Sequence, residues 1–217
     1  MQLLHLTLPT LATLGLAVGA ACKPFSTASS TCHDFPASMI EYSSTFQQPE
    51  PPILKTEFQT SFIQHKWNAN LSHIQVGYIY FSPSQGLVRV DEAYNGDLAT
   101  SIFNYANTTE EGLVDNTLTS FGAYPDKPTV WRGYVQSNYP LLSDDILTQG
   151  DAVFGGLVER ELVAGLVAAW NIMYAGIPVT VFVDSCGVLV GYDYFSPGLR
   201  TRVTTGFFNT VVGSVKV

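Results

Sequence analysis

The stretch GYIYFSPSQGLVRVDEAY, residues 77–94, decides the fold class because it reads as two β-strands joined by a tight turn. The joint from Ser82 to Gly86 has proline early and glycine late, which is typical of a four- or five-residue hairpin loop. Apolar side chains occupy both faces of the first strand: Ile74, Val76, Tyr78 and Tyr80 on one face, and Ile79 and Phe81 on the other. A sheet with water on one side should alternate cleanly between apolar and polar residues. We therefore expect either that something covers both faces of this sheet, or that one face lines an apolar cavity.

Segments of the same kind recur along the chain, separated by turn signals such as Asn95-Gly96 and Ser196-Pro197-Gly198. The clearest are SIFNYAN, TVWRGYV, IPVTVFV, GVLVGYDYF and RTRVTTGFFNTVVGSV. Many strands joined by short connections predict an antiparallel meander rather than βαβ units. The pattern therefore predicts a mainly β protein.

One segment, residues 157–173, fits two kinds of secondary structure. Its apolar residues, among them Val158, Leu162, Leu166 and Trp170, recur at helical spacing. Nearby glycines and several valines are poor helix formers. The pattern predicts a strand through VFGGLVER and leaves helix and strand both open beyond it.

The start of the chain has the pattern of a targeting segment. An apolar run from Leu3 to Ala21 ends in small residues, which predicts a signal peptide over residues 1–20. A transmembrane anchor is the rival interpretation, and a bacterial lipoprotein with Cys22 at its start is a third. Cleavage leaves an irregular lead-in over residues 21–53 and a single β-rich domain over residues 54–217. We then expect a secreted, extracellular protein that is not integral to the membrane.

Composition excludes two classes of protein. Hydrophobic residues make up 46% of the chain and aromatic residues 12%, which is incompatible with a disordered chain. The net charge of −8 argues against nucleic acid as a partner, because phosphates require a basic surface.

Three cysteines, Cys22, Cys32 and Cys186, would remain after cleavage. In an oxidising compartment two of them should pair. A Cys22–Cys32 bridge closes a short loop, whereas a bridge from Cys32 to Cys186 constrains most of the domain and is preferred. A buried, inert Cys186 is the other alternative. Two sequons, at Asn70 and Asn107, predict surface glycans in a eukaryotic host.

No catalytic or metal-binding motif stands out, so we expect neither an enzyme nor a cofactor. His65 and His73 flank a turn and could face each other across a hairpin, but no further ligands are suitably spaced for a metal. Cys186 lies in an apolar, β-like setting that favours packing or a disulfide over a reactive thiolate. Arg89 and Asp91 are spaced for a same-face ion pair.

Aromatic residues are the other residues of the chain that could bind a ligand. Most must be core, but a subset lining a cavity would suit an acyl chain or another apolar ligand. The candidate cleft residues are Tyr78, Tyr80, Val88, Val90, Phe103, Trp131 and Trp170. Exposed tyrosines that stack on sugars would serve a carbohydrate-binding module instead.

The order of the segments GYIYFSPSQGLVRVDEAY, SIFNYANTTEEGLVDN, AGIPVTVFV and RTRVTTGFFNTVVGSV resembles that of ependymin-related secreted proteins. The resemblance covers about residues 58–217 and lies in the order of the strands and in their residue composition. Most of the family's cysteines are missing here. It implies an antiparallel curved sheet or half-barrel with one or two helices, like that of the lipoprotein carrier LolA. Calcium, which some members bind, is implied on this ground alone, and no ligand residues carry over.

What the resemblance implies for function is a secreted, non-enzymatic protein that binds a lipid or other hydrophobic small molecule in an apolar cleft of the sheet. The main alternative is an extracellular carbohydrate-binding or adhesive module, and a secreted hydrolase whose site has no recognised motif is a third.

Overall fold

The computed structural model describes residues 32–40, 46–68, 71–94, 97–122, 127–198 and 200–217. Eleven strands in this part of the chain form one sheet. They are β1 (Phe58–Asn68), β2 (Leu71–Ser82), β3 (Leu87–Tyr94), β4 (Asp97–Thr108), β5 (Val114–Ser120), β6 (Thr129–Val135), β7 (Val153–Glu159), β8 (Leu166–Tyr174), β9 (Ile177–Val183), β10 (Leu189–Ser196) and β11 (Thr201–Val212). Two four-residue helices, α1 (Ala37–Ile40) and α2 (Ile146–Gln149), and a 3-10 turn at Pro83–Gln85 complete the described elements.

The sheet is an antiparallel meander whose first and last strands meet in the middle. Its strand order is β6-β5-β4-β3-β2-β1-β11-β10-β9-β8-β7, so β6 and β7 form the two edges. These two strands are consecutive in the sequence, and the segment that joins them must therefore pass from one edge of the sheet to the other. We call this segment, residues 136–152, the strap.

The larger hydrophobic core lies on one face of the sheet, which curves around it. Phe103 and Val114, from one half of the sheet, share this core with Trp170 and Val181 from the other half and with Leu147 of the strap. Residues so far apart along the sheet can meet in one core only if the sheet bends, so we call this the concave face. The prediction of a mainly β, antiparallel, curved sheet with one or two helices is confirmed.

A smaller cluster lies on the convex face of the other half, where Val167, Ala169, Phe182 and Val190 are buried. The guanidinium of Arg160 covers it, 4.0 Å from the centroid of the Phe182 ring. Arg160 also donates to Asp193 at 3.1 Å, so the cation that shields this apolar cluster is itself paired.

The opening hairpin has the predicted turn, but its two apolar faces are not both covered. Gly86 closes the turn in the left-handed region at φ 66°. Ile79 and Phe81 are buried on the concave face, opposite Val90 and Val88 of the neighbouring strand. The other face, with Ile74, Val76 and Tyr78, is convex, and each of these side chains is about half exposed.

The ambiguous segment consists of two strands, not a helix. β7 and β8 pair from Glu159 with Leu166 to Val153 with Asn171. Leu162 and Gly165, both inside the segment, adopt positive φ, of 67° and 82° respectively, which an α-helix cannot accommodate. The helical spacing of the apolar residues is therefore coincidental.

A disulfide joins Cys32 to Cys186 with a Cα–Cα distance of 5.2 Å. It ties the beginning of the described domain to the β9–β10 connection, as preferred from the sequence. Cys22 and the predicted signal peptide lie outside the described residues, as does Asn70. Within the described part of the chain, no helix combines the length and apolarity needed to cross a bilayer.

Candidate functional site

A cleft of about 890 Å³ opens on the concave face, between the strap and strands β8 to β10. Inward-facing residues of three adjacent strands line it, namely Ile172, Val179, Val181, Tyr192 and Tyr194. Strand alternation produces this lining, because every second residue of a strand points to the same face. Strap residues, including Asn138, Pro140 and Leu142, line it from the other side.

Tyrosine hydroxyls on the sheet hold the strap in place. Tyr192 donates to the backbone carbonyl of Asn138 at 2.9 Å, and Tyr194 donates to the side-chain oxygen of the same residue at 3.2 Å. Tyr105, in the other half of the sheet, donates to the carbonyl of Tyr139 at 2.5 Å. Two consecutive strap carbonyls, those of Asn138 and Tyr139, thus accept hydrogen bonds from opposite halves of the sheet, which fixes one side of the cleft.

Burial raises the pKa of Tyr105 and of Tyr194 to about 12 each, and that of Tyr192 further still. These hydroxyls therefore keep their protons under ordinary conditions and serve as hydrogen-bond donors. Their arrangement positions the strap and does not supply a nucleophile.

Tyr139 anchors the strap in the core beside the cleft. Its ring lies against Phe62 and Phe103, with centroid separations of 5.6 Å and 6.0 Å. Its hydroxyl donates to the Glu92 carboxylate at 3.0 Å, and Gln75 donates to the same oxygen at 3.3 Å. Burial raises the pKa of Glu92, and the hydrogen bond from Tyr139 partly opposes this rise.

The residues predicted to line a cleft do not line this one, and the sheet separates them. Tyr78 and Tyr80 lie on the convex face, where the Arg89 guanidinium lies 5.1 Å from the centroid of the Tyr80 ring. Val88 and Val90 of β3 and Phe103 of β4 are on the concave face, but they are buried in the core. Trp131, on the same face near the β6 edge, is about half exposed. Trp170 is buried against Phe154, with centroids 5.3 Å apart.

Residues that do line the cleft carried a weak signal in the sequence. IPVTVFV and GYDYF alternate, which places Val179 with Val181, and Tyr192 with Tyr194. The missing information was which face of each strand the strap would cross.

The structure confirms one of the two residue pairs predicted from the sequence and contradicts the other. Arg89 donates to both carboxylate oxygens of Asp91, each at 3.0 Å, which confirms the predicted ion pair. His65 and His73 lie on opposite faces of the hairpin, because His65 pairs with Ile74 and His73 with Lys66. The suggestion that they face each other is therefore wrong. No cluster of three or more metal-ligating side chains occurs among the described residues.

The Asn107 sequon lies beside an ion pair on the convex face. Its amide donates to Asp115 at 2.9 Å, and Tyr134 donates to its side-chain oxygen at 3.1 Å. Arg132 contacts Asp115 at 2.7 Å and 3.1 Å. The hydrogen bonds that Asp115 accepts, first from Arg132 and then from Asn107, lower its pKa. Glycosylation at Asn107 stays a prediction.

Two shallower depressions lie on the convex face. One, of about 500 Å³, follows Val76, Tyr78 and Leu98, and the other, of about 790 Å³, lies beside Met173 and Phe195. The end of the strap, at Gly150 and Asp151, also borders the second depression, but neither groove is walled by the segment from Gln136 to Leu142 that encloses the concave cleft.

Comparison with known proteins adds little to this geometry. No family model matches the chain, and no curated protein matches it. Among solved structures, a DUF1329 family protein from Desulfovibrio piger is similar at 9% identity and a TM-score of 0.32. The alignment covers 75% of this chain and 88% of that one. At that TM-score the likeness says nothing about function.

Proposed function

We propose that this protein is a secreted, non-enzymatic binder of a lipid or other hydrophobic small molecule, which it holds in the concave cleft. The observation that supports this most is the composition of the cleft: aliphatic and tyrosine side chains of β8 to β10 face a hydrogen-bonded strap, and polar side chains of the sheet, such as Asn68, Ser196 and Thr201, line the rest. Its volume of about 890 Å³ falls within the range of ligand pockets, about 300–1,000 Å³. A few polar groups at the strap would orient a ligand that is otherwise held by apolar contact.

The proposed site differs from the one expected from the sequence, although the proposed chemistry is the same. The ligand would lie against β8 to β10, not against the opening hairpin. Two features support an extracellular setting: the Cys32–Cys186 disulfide and the apolar leader pattern at the start of the sequence.

A cleft-filling substitution tests this assignment. Val179→Trp adds an indole to the cleft wall and should lower the affinity for a fluorescent fatty acid by at least about tenfold, by displacing ligand volume. Thr180→Trp is the matched control, since it adds the same group one residue away on the convex face. Dissociation constants from fluorescence titration, with circular dichroism to verify folding, provide the comparison.

Each outcome has a clear meaning. Loss of binding in Val179→Trp but not in Thr180→Trp supports the concave cleft. Equal loss in both variants, or none in either, would place any ligand elsewhere. No uptake of apolar probes by the wild-type protein would contradict the carrier function and direct attention to the carbohydrate-binding alternative.

The carbohydrate-binding alternative has less support on the convex face. Exposed Tyr78 and Tyr134 lie on β2 and β6, and exposed Phe195 lies on β10. Tyr78 and Tyr134 are four strands apart, about 19 Å at normal strand spacing, which is too far for one sugar ring to stack on both.

A further inference from the structure

Lys66 is the one charged side chain among the described residues that line the concave cleft. It lies on β1, half-buried, and its neighbours across the sheet are Val203 on one side and His73 on the other. None of the ion pairs formed within the described residues involves it. A partly buried ammonium at the edge of an apolar cleft is a favourable contact for an anion, since pairing offsets its desolvation.

Neither cross-strand neighbour of Lys66, Val203 or His73, carries a negative charge. Burial, and then the charge of Lys66, lowers the pKa of His73, so that imidazole is uncharged near neutral pH. The chain as a whole carries a net charge of −8, with only 10 lysines and arginines. Positively charged residues are therefore uncommon in this protein. Even so, a lysine lines the ligand cleft, whereas no carboxylate occurs among the described lining residues.

Sheet register aligns Lys66 with the apolar lining. Lys66 pairs with Val203, Val203 with Tyr194, Tyr194 with Val179, and Val179 with Ile172. This row crosses five adjacent strands, and four strand spacings amount to about 19 Å. Measured along the sheet, the row thus has a cation at one end and an aliphatic side chain at the other, about the length of a long acyl chain apart. Val203, between Lys66 and Tyr194, is fully buried and is not among the residues that line the cleft.

From this arrangement, which rests on the proposed function, we infer that the ligand is a long-chain carboxylate whose head group pairs with Lys66 and whose chain lies along Tyr194 and Val179 toward Ile172. Lys66 is then the residue that selects fatty acids over uncharged lipids of the same length. Charge-assisted hydrogen bonds are stronger than neutral ones, and removing this one should reduce carboxylate affinity by about ten- to a hundredfold.

The test compares palmitate with palmityl alcohol, which has the same chain and no charge. Dissociation constants for both are measured by isothermal titration calorimetry on the wild-type protein, on Lys66→Gln and on Lys66→Arg. Lys55→Gln is the matched control, because Lys55 is exposed and lies outside the cleft. Thermal unfolding of every variant verifies that the fold is retained.

The expected result is that wild type prefers palmitate, that Lys66→Gln abolishes this preference without weakening the alcohol, and that Lys66→Arg and Lys55→Gln keep it. Equal binding of both lipids by wild type, unaffected by Lys66→Gln, would overturn the role of Lys66 while leaving the carrier function intact. Absence of binding of either lipid to wild type would overturn both. Hexadecyl phosphate is titrated in the same series, and its preference over palmitate would assign the cation to a phosphate head group and overturn the carboxylate assignment.

Discussion

Glu92 shows how one partly buried acid connects the strap to the sheet. The carboxylate is largely removed from water, and hydrogen bonds from Tyr139 and Gln75 satisfy one of its oxygens. Because burial raises its folded-state pKa above the unfolded value of about 4.3, the folded protein binds this proton more tightly. Stability should therefore rise as pH falls from neutral through the folded pKa, and this gain is complete at the unfolded pKa.

Glu92→Gln should remove that part of the pH dependence. The amide keeps an acceptor for the Tyr139 hydroxyl and carries no charge to desolvate, so the variant should be more stable than wild type at neutral pH. The difference should shrink as the pH approaches about 4.3. Guanidinium unfolding across this interval measures it, with the exposed Glu110→Gln as control. A Glu92→Gln variant that is less stable at neutral pH, or keeps the wild-type slope, would contradict this account.

Local spacing decides which residue-level contacts can be predicted. Arg89 and Asp91 are two residues apart on one strand, so their ion pair follows from alternation alone. Asp115 and Arg132 pair across two strands, and their contact depends on the register between β5 and β6. That register is fixed by the whole sheet and cannot be derived from a few neighbouring residues.

At the level of the element, glycines show where strands approach most closely. A Cβ at Gly77 of β2 would lie 1.9 Å from the backbone oxygen of Asp91 on β3, a contact that only backbone movement can relieve. Gly206 of β11 offers a contrast, since a Cβ there would meet only the Ile63 side chain, at 3.7 Å. Both glycines are inside strands, but only Gly77 requires the absence of a side chain.

Gly77→Ala should therefore destabilise the protein by about 1–3 kcal/mol or more, because the added methyl group forces β2 and β3 apart. Gly206→Ala should be close to neutral or stabilising, since alanine restricts the unfolded chain. Denaturant unfolding of the two variants provides the comparison. Equal stability changes would mean that the close approach of β2 and β3 is not what excludes a side chain at Gly77.

Strands could be predicted from the sequence where apolar and polar residues alternate. Which strands form the two edges of the sheet, and what covers those edges, could not be predicted. The hairpin over residues 77–94 follows from two apolar runs and a Pro-Gly turn. The edge of β7 depends on a distant contact: Gln48 accepts from the Phe154 backbone N–H at 3.4 Å and donates to the Ala152 carbonyl at 3.0 Å. A side-chain amide thus satisfies an edge strand from far along the sequence, which no local pattern indicates.

For the whole molecule, the strap separates what was predictable from what was not. Strap residues such as Asn138, Tyr139 and Leu142 show no periodicity that would assign them to a face. Asn138 and Tyr139 contact β1, β4 and β10, which become neighbours only when the sheet curves. The sequence therefore predicts a curved β-sheet and an apolar ligand, but the cleft follows from the path by which the chain crosses between its own edge strands.

The disulfide constrains this whole arrangement, because Cys32 and Cys186 are separated by 154 positions in the sequence. In the chain-entropy model a loop of that length strongly restricts the unfolded state, so the Cys32→Ser/Cys186→Ser double variant should lose about 2–5 kcal/mol of unfolding free energy. Cys22→Ser is the control and should leave stability unchanged, since the bridge does not involve Cys22. Guanidinium unfolding without reductant measures both variants, and peptide mapping under non-reducing conditions identifies the bridged cysteines. Destabilisation by Cys22→Ser instead, with a Cys22–Cys32 peptide in the map, would move the bridge to the short loop and leave the β9–β10 connection without a covalent tie to the start of the domain.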